Sequence, residues 1–334
     1  MKQHLKTTIS ALANGAISPA EAVTAVVSTG LARVATQSSD SVGCEGDTPG
    51  AESFFWTLWA AVLDAVREGS VDDEASRARV DRAVAFVAAM KALPPDDGSP
   101  KWTLWGEAQT WRDLPLLGPT VRENYNGPFQ NRLRDANALY ISEEGQAAIA
   151  RAHPTIGADG APNGDLADVQ RSCEAWLLLN LFLARLWRAG AVDWAALYAL
   201  WALRSGLEDA PSPLPRPSAS PVDAYVSLAV EVASLWLQHA APLVYRCTDV
   251  WGPNGRADWP GNRGAPGRGG RRWTGVDGFD AEHARWALWK SVLREVARWC
   301  EQVEGEGRMK GWKIGQATEK ALEAMEAAEH NADV

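Results

Sequence analysis

The chain has 334 residues, enough for one large domain or two ordinary ones with an ample core. Hydrophobic residues make up 46% and charged residues 22%, the balance of a globular protein rather than a disordered one. A net charge of −9 argues against a general nucleic-acid binder, so any basic surface must be local.

Seventeen tryptophans outnumber phenylalanine and tyrosine combined. Most suit helix packing, and a few could line an aromatic pocket. Cys44, Cys173, Cys247 and Cys300 are far apart and form no Cys-x-x-Cys, which reads as small core residues in a reducing compartment. No apolar stretch follows the opening Met1-Lys2-Gln3-His4, so no signal peptide is expected. The longest apolar run, Ala175 to Trp187, is broken by Asn180 and Arg185 and is too short to span a bilayer. The expected location is cytoplasmic, with no membrane partner.

In chain order, Ser18-Pro19-Ala20-Glu21 is a capping box that starts a helix running to about Thr36. Phe54–Arg67 follows, with Phe55, Leu58, Trp59, Val62 and Val66 at helical spacing. Asp72–Leu93 is a further helix, stopped by Pro94-Pro95-Asp96-Asp97-Gly98. Trp102–Trp111 reads as a short helix or an irregular aromatic stretch, and Gly127-Pro128 starts a helix carrying Leu133, Leu139 and Tyr140. A Gly/Pro-rich loop spans 153–164. Asp168–Arg188 is the expected central helix, then Asp193–Glu208, then a proline-rich linker at 211–217. Val222–Tyr245 is long and apolar, Trp251–Phe279 is a Gly- and Arg-rich loop, Asp280–Val303 is amphipathic, and Gly311–Glu329 is a last docking helix. No strand alternation stands out, and the expected class is all-α, a single multi-helix globular domain over 1–334 with long polar loops. Within it, 1–37 is peripheral and 54–303 forms the core.

Motifs of metal binding, of phosphate-cradling loops and of serine hydrolases are missing, so neither a metal nor a cofactor is expected. Five features could carry chemistry. Asn180 and Arg185 interrupt an apolar helix beside Trp176; either they cross-link neighbouring helices or they bind a substrate. Val222–Tyr245 carries a polar stripe, Ser227, Glu231, Ser234 and Gln238, with His239 and Tyr245 nearby. Glu231 there suits a general base or a cation receptor, with His239 as a second catalytic candidate; a structural pair with Arg185 or Arg204 is the plain alternative. Asn180, Arg185 and Glu231 are expected to face one polar network.

Arg122-Glu123-Asn124-Tyr125-Asn126 lies between two Gly-Pro breaks and can present groups to a pocket, Glu123 as a catalytic acid and Arg122, Asn124 and Tyr125 as binding groups; a turn network is the alternative. Arg204 and Glu208 look like an i,i+4 surface pair. Finally, Gly252–Trp273 holds Arg256, Arg263, Arg268, Arg271 and Arg272 against Asp258 alone, interleaved with Trp259. A mobile loop of this kind suits phosphate contact and base stacking, or is merely solvated.

The order Phe55-Trp56-x-Leu58-Trp59, then Leu117-Gly118-Pro119-x-x-Arg122-Glu123-Asn124-Tyr125-Asn126, then Trp176-x-x-x-Asn180-x-Phe182-x-Ala184-Arg185, and lastly Trp273-x-Gly275-x-x-Gly278-Phe279 with Arg285-Trp286-x-x-Trp289-Lys290, carries a resemblance. It resembles a family of fungal helical proteins known as a domain of unknown function, over about Phe54 to Cys300. Fungal proteins of this kind are associated with arginine-containing cyclodipeptide synthases, which take aminoacyl groups from charged tRNAs and close them into a diketopiperazine. The resemblance implies a cytosolic transferase that needs neither metal nor nucleotide hydrolysis. It would make the arginine loop a tRNA contact and a buried acid a guanidinium receptor. Two other functions stay open: a small-molecule-binding or cyclising helical protein of secondary metabolism, and a non-catalytic interaction scaffold.

Overall fold

The computed structural model describes residues 2–36, 47–94, 102–128, 164–210, 212, 214, 221–305 and 313–332. The helix expected after Gly127-Pro128, the loop at 153–163, most of the proline-rich linker and Cys44 lie outside them. The chain divides into two compact units, Met1–Gln130 with Glu174–Val192, and Asn131–Cys173 with Asp193–Val334.

Ten helices are seen among the described residues, together with one two-stranded sheet, so the all-α expectation holds. In the first unit these are α1 (Lys2–Ala13), α2 (Pro19–Thr36), α3 (Ala51–Val66), α4 (Glu74–Lys91) and α5 (Leu117–Asn124), with the later part of α6 (Gly164–Arg188). The Ser18 capping box forms as read: Glu21 accepts from the Ser18 amide at 2.7 Å, and Ser18 Oγ accepts from the Glu21 amide at 3.3 Å. Asp73 caps α4 by accepting from the Ala75 and Ser76 amides. Arg82 of α4 reaches back to the Ala13 carbonyl at the end of α1, binding one of that helix's orphan acceptors.

The reading of 102–111 as helical or irregular is corrected. Trp102–Leu104 (β1) and Glu107–Gln109 (β2) form an antiparallel hairpin with Thr103 opposite Ala108. Its turn is Trp105-Gly106, both at positive φ, the twist that two-residue hairpins need. Asp47 holds that turn by accepting from both of its amides, at 3.0 and 3.1 Å. The hairpin delivers Trp102 into a cluster with Phe54, Phe55 and Trp111, whose rings meet edge-on or stacked at 5.2–6.2 Å. The indole N–H groups of Trp102 and Trp111 are buried there without a hydrogen-bond partner.

The second unit holds α7 (Ala195–Leu203), α8 (Pro221–Arg246), α9 (Ala284–Gly305) and α10 (Lys313–His330). α7 continues into a widened π turn at Arg204–Glu208. A side chain at Gly206 would run into the Ala229 carbonyl, so glycine permits the close approach of α8 to this turn. α8 is kinked at Ala240, two residues before Pro242, which cannot donate to the helix ladder. α10 packs on α8 and α9, with Gln238 of the polar stripe donating to the Ala317 carbonyl at 3.1 Å. Among the described residues, no helix is long and apolar enough to cross a membrane.

Candidate functional site

Glu208 and Arg285 are both fully buried and form a two-point ion pair, Nε to Oε1 at 2.7 Å and Nη2 to Oε2 at 3.0 Å. The surface pair expected between Arg204 and Glu208 is therefore corrected. The π turn rotates Glu208 inward, and Arg204 donates instead to the carbonyls of Pro266 and Arg268. Glu208 also accepts from the Trp289 indole at 2.8 Å and the Gly270 amide at 2.7 Å. Arg285 Nη1 donates to the Gly267, Val276 and Gly278 carbonyls, and the guanidinium lies against the faces of Trp273 and Trp289. Buried charges persist where they are paired and hydrogen-bonded in this way.

That pair fastens the arginine loop, through the Gly270 amide and the Gly267, Val276 and Gly278 carbonyls, to the π turn and α9. Its two ends are zipped by Trp251 N to Asp277 O at 2.7 Å and Phe279 N to Asp249 O at 2.9 Å, and Gly267 is buried on the Trp251 carbonyl. Arg272 is a clamp rather than a free cation: it pairs with Glu295 at 2.6 Å and donates to the Ala210 carbonyl. Arg256, Arg263, Arg268 and Arg271 are exposed, and Arg256 is shared with Asp258 at 3.1 Å.

The other predicted residues divide between the units. In the first, Tyr125 Oη donates to buried Asn180 at 2.7 Å and its ring lies 4.5 Å from Trp176. Asn124 accepts from Arg67 at 2.8 Å. Burial pushes the Arg67 guanidinium below its ordinary range, against the opposing pull of the Asp64 charge. Arg122 and Glu123 are exposed. Arg185 turns to Asp81 at 2.7 Å and to the Arg77 carbonyl, away from the neighbours of Asn180. Five helical residues place the two side chains about 140° apart, so one face cannot serve both. In the second unit, Glu231 and His239 are half-buried on α8.

Tyr245 opens onto a cavity. A groove of about 590 Å³ runs along α9, lined by Tyr245, Glu282, His283, Trp286 and, further along, Lys290, Arg294 and Arg298. His283 stacks flat on Tyr245 with ring centres 4.1 Å apart, and Trp286 meets Tyr245 edge-on at 5.0 Å. Asp280 sets this corner, its carboxylate accepting from the Glu282, Ala284 and Arg285 amides. The chain then turns through His283 at φ 59°, a left-handed conformation that costs a non-glycine residue about 1–2 kcal/mol. Backbone strain of this sort is over-represented at functional positions.

Glu329 of α10 closes the far wall, accepting from Trp286 Nε1 and Lys290 Nζ, each at 2.7 Å. Burial raises its carboxyl pKa, but the hydrogen bonds from Lys290 and Trp286 and the nearby positive charges prevail and hold it below the ordinary range. Glu326 adds contacts to Lys290 at 3.7 Å and Arg294 at 3.4 Å. Among the described residues Glu282 and Arg298 have no ion-pair partner. The spacing of Lys290, Arg294 and Arg298, four and four, was a readable sign of a cationic helix face. His283 carried no sequence signal, because its role comes from a backbone turn. Among the described residues, no group of three or more His, Cys, Asp or Glu side chains could hold a metal ion.

No curated protein and no solved structure matches the chain. A family model described as protein of unknown function (DUF3632) matches residues 59–293, most of the span that the motif order covers, and the chain belongs to that family.

Proposed function

We propose that the protein is an aminoacyl-tRNA-dependent cyclodipeptide synthase that makes an arginine-containing diketopiperazine. The observation that supports this reading best is the α9 groove, where an aromatic wall stands beside Glu282, a carboxylate without an ion-pair partner among the described residues. An arginyl side chain has a cationic head that suits such an acid, and the neighbouring rings suit the flat base of the nucleotide that carries it. The volume of about 590 Å³ lies within the usual span of small-molecule sites.

The chemistry is two ester-to-amide exchanges. The amine of one aminoacyl ester attacks the ester carbonyl of the other, a C–N bond forms, and the C–O bond to one tRNA breaks. That tRNA leaves as its alcohol with the proton lost by the amine. The free amine of the dipeptidyl ester then attacks the remaining ester, closes the six-membered ring and releases the second tRNA. Bonds and protons balance without nucleotide hydrolysis. The amine proton passes to an acid–base side chain, for which Glu231 and His239 on α8 and Glu123 in the first unit are the candidates. Charged tRNA as substrate places the activity in the cytoplasm.

A small-molecule-binding or cyclising role without tRNA is the second reading. It is favoured by Glu326 and Glu329, which already engage Lys290 and Arg294 and leave less free charge for phosphate. Incubating the purified protein with arginyl-tRNA and a mixture of other aminoacyl-tRNAs separates the two. Mass spectrometry should find a cyclic dipeptide containing arginine; its absence from every mixture would overturn the synthase.

A further inference from the structure

We infer that the α9 groove receives the single-stranded 3′ end of an RNA, with the terminal base stacked on the His283–Tyr245 pair and the preceding phosphates received along α9 by Arg294 and Arg298. This rests on the reading that charged tRNA is the substrate, and it names the part of the tRNA that enters.

Single-stranded nucleic acid is held by two parts used together, a flat ring for a base and cations that track the backbone. The groove has both, in sequence along one helix. The ring platform is His283 lying parallel to Tyr245 at 4.1 Å, with Trp286 supporting Tyr245 from its edge. The left-handed backbone at His283 and the Asp280 cap fix where that ring sits. The cations follow at 290, 294 and 298 on the same helix face, one turn or about 6 Å of rise between neighbours. They are unequal. Lys290 is mostly buried and held by Glu329 at 2.7 Å, so it shapes the wall. Arg294 keeps a long contact of 3.4 Å to Glu326 and is more than half exposed, and Arg298 is exposed without an ion-pair partner among the described residues. Positive charge available to a ligand therefore grows away from the ring platform, as a phosphate backbone leaving the groove requires. A free mononucleotide would use the platform but reach few of the cations. The acid at the opposite end, Glu282, repels phosphate and sets the direction of entry.

The probe is a fluorescently labelled ribotrinucleotide of sequence CCA, titrated with the full-length protein by anisotropy. Saturable binding that weakens with salt is expected. His283→Asn keeps a residue tolerant of left-handed backbone but removes the ring, and Arg298→Ala removes the free cation; each should weaken binding about fivefold or more. Lys320→Ala, an exposed cation on α10 that does not line the groove, should bind like the unchanged protein. Unlabelled AMP should compete poorly. No saturable binding, or wild-type affinity in both His283→Asn and Arg298→Ala with helical circular dichroism intact, overturns the inference, as does AMP competing as well as the trinucleotide. Trinucleotide binding in the groove without any diketopiperazine leaves the RNA site standing and removes the synthase. Diketopiperazine formation without trinucleotide binding does the reverse.

Discussion

Ser234 and Cys247 show how far a residue's environment departs from what its type suggests. Ser234 sits on the polar stripe of α8 but is fully buried, and its hydroxyl has no hydrogen-bond partner. The folded state has lost water from that group and gained nothing for it. Ser234→Ala should therefore be neutral or stabilising by up to about 1 kcal/mol in urea unfolding, whereas a loss of stability would reveal a bridging water. Cys247, just past α8, has its thiol pushed up to about 12, first by burial and then by the nearby Asp249 charge. Almost none of it is thiolate at neutral pH, so iodoacetamide should leave Cys247 unmodified in the folded protein and label it once the chain is unfolded. Rapid labelling of native Cys247, mapped by peptide mass, would contradict this. Neither environment was legible in advance: spacing placed Ser234 on a stripe, but only the packing of α10 decides whether that stripe meets water.

Among elements, those with local signals were legible and those made by distant contacts were not. α2 begins where Ser18 and Glu21 place it, because a capping box is complete within four residues. The hairpin at 102–109 was missed because its strands are three residues each and its turn uses Trp105 rather than asparagine or aspartate before Gly106. Glu208 was misread because a regular helix would point it outward beside Arg204; it sits instead at the end of a π turn whose Gly206 packs closely on α8. The pair it makes with Arg285 fastens the 251–279 loop to the helices. Glu208→Gln should leave Arg285 buried without its counter-charge and cost about 3–5 kcal/mol. Replacing both by apolar residues should not restore stability, since the Gly270 amide, the Trp289 indole and three loop carbonyls would lose their partners. Limited proteolysis should then cut within 251–279 first; a loop that stays resistant in Glu208→Gln would show that the zipped ends alone suffice. The contact between α9 and α10 is pH-sensitive. Glu329 has its pKa lowered in the folded state, so the stability it supplies is present above the ordinary carboxylate range and is lost as pH falls through its folded value. Thermal midpoints should drop on acidification below about pH 4, and Glu329→Gln should shrink that drop.

At the level of the whole molecule, helical class and family were legible, because apolar spacing and motif order are properties of the chain itself. The α9 groove was legible only in part: Tyr245 was named, while His283 and the Lys290–Arg298 row come together around it only through a turn and a neighbouring helix. Charge belongs to this scale too. An acidic protein of net charge −9 must concentrate any RNA contact on local cations. The loop keeps Arg256, Arg263, Arg268 and Arg271 exposed, but Arg272 is committed to Glu295 and Ala210 and cannot follow a phosphate without opening the fold. If tRNA is the substrate, Arg263→Ala, Arg268→Ala and Arg271→Ala combined should weaken tRNA binding several-fold in a filter-binding titration. Each phosphate contact releases counterions, so the slope of log affinity against log salt should also flatten by up to about 2–3. Arg272→Ala should behave differently, lowering the unfolding midpoint while leaving the salt slope unchanged. A combined variant that binds tRNA with unchanged affinity and slope would take the loop out of the contact and leave the α9 groove to supply it alone.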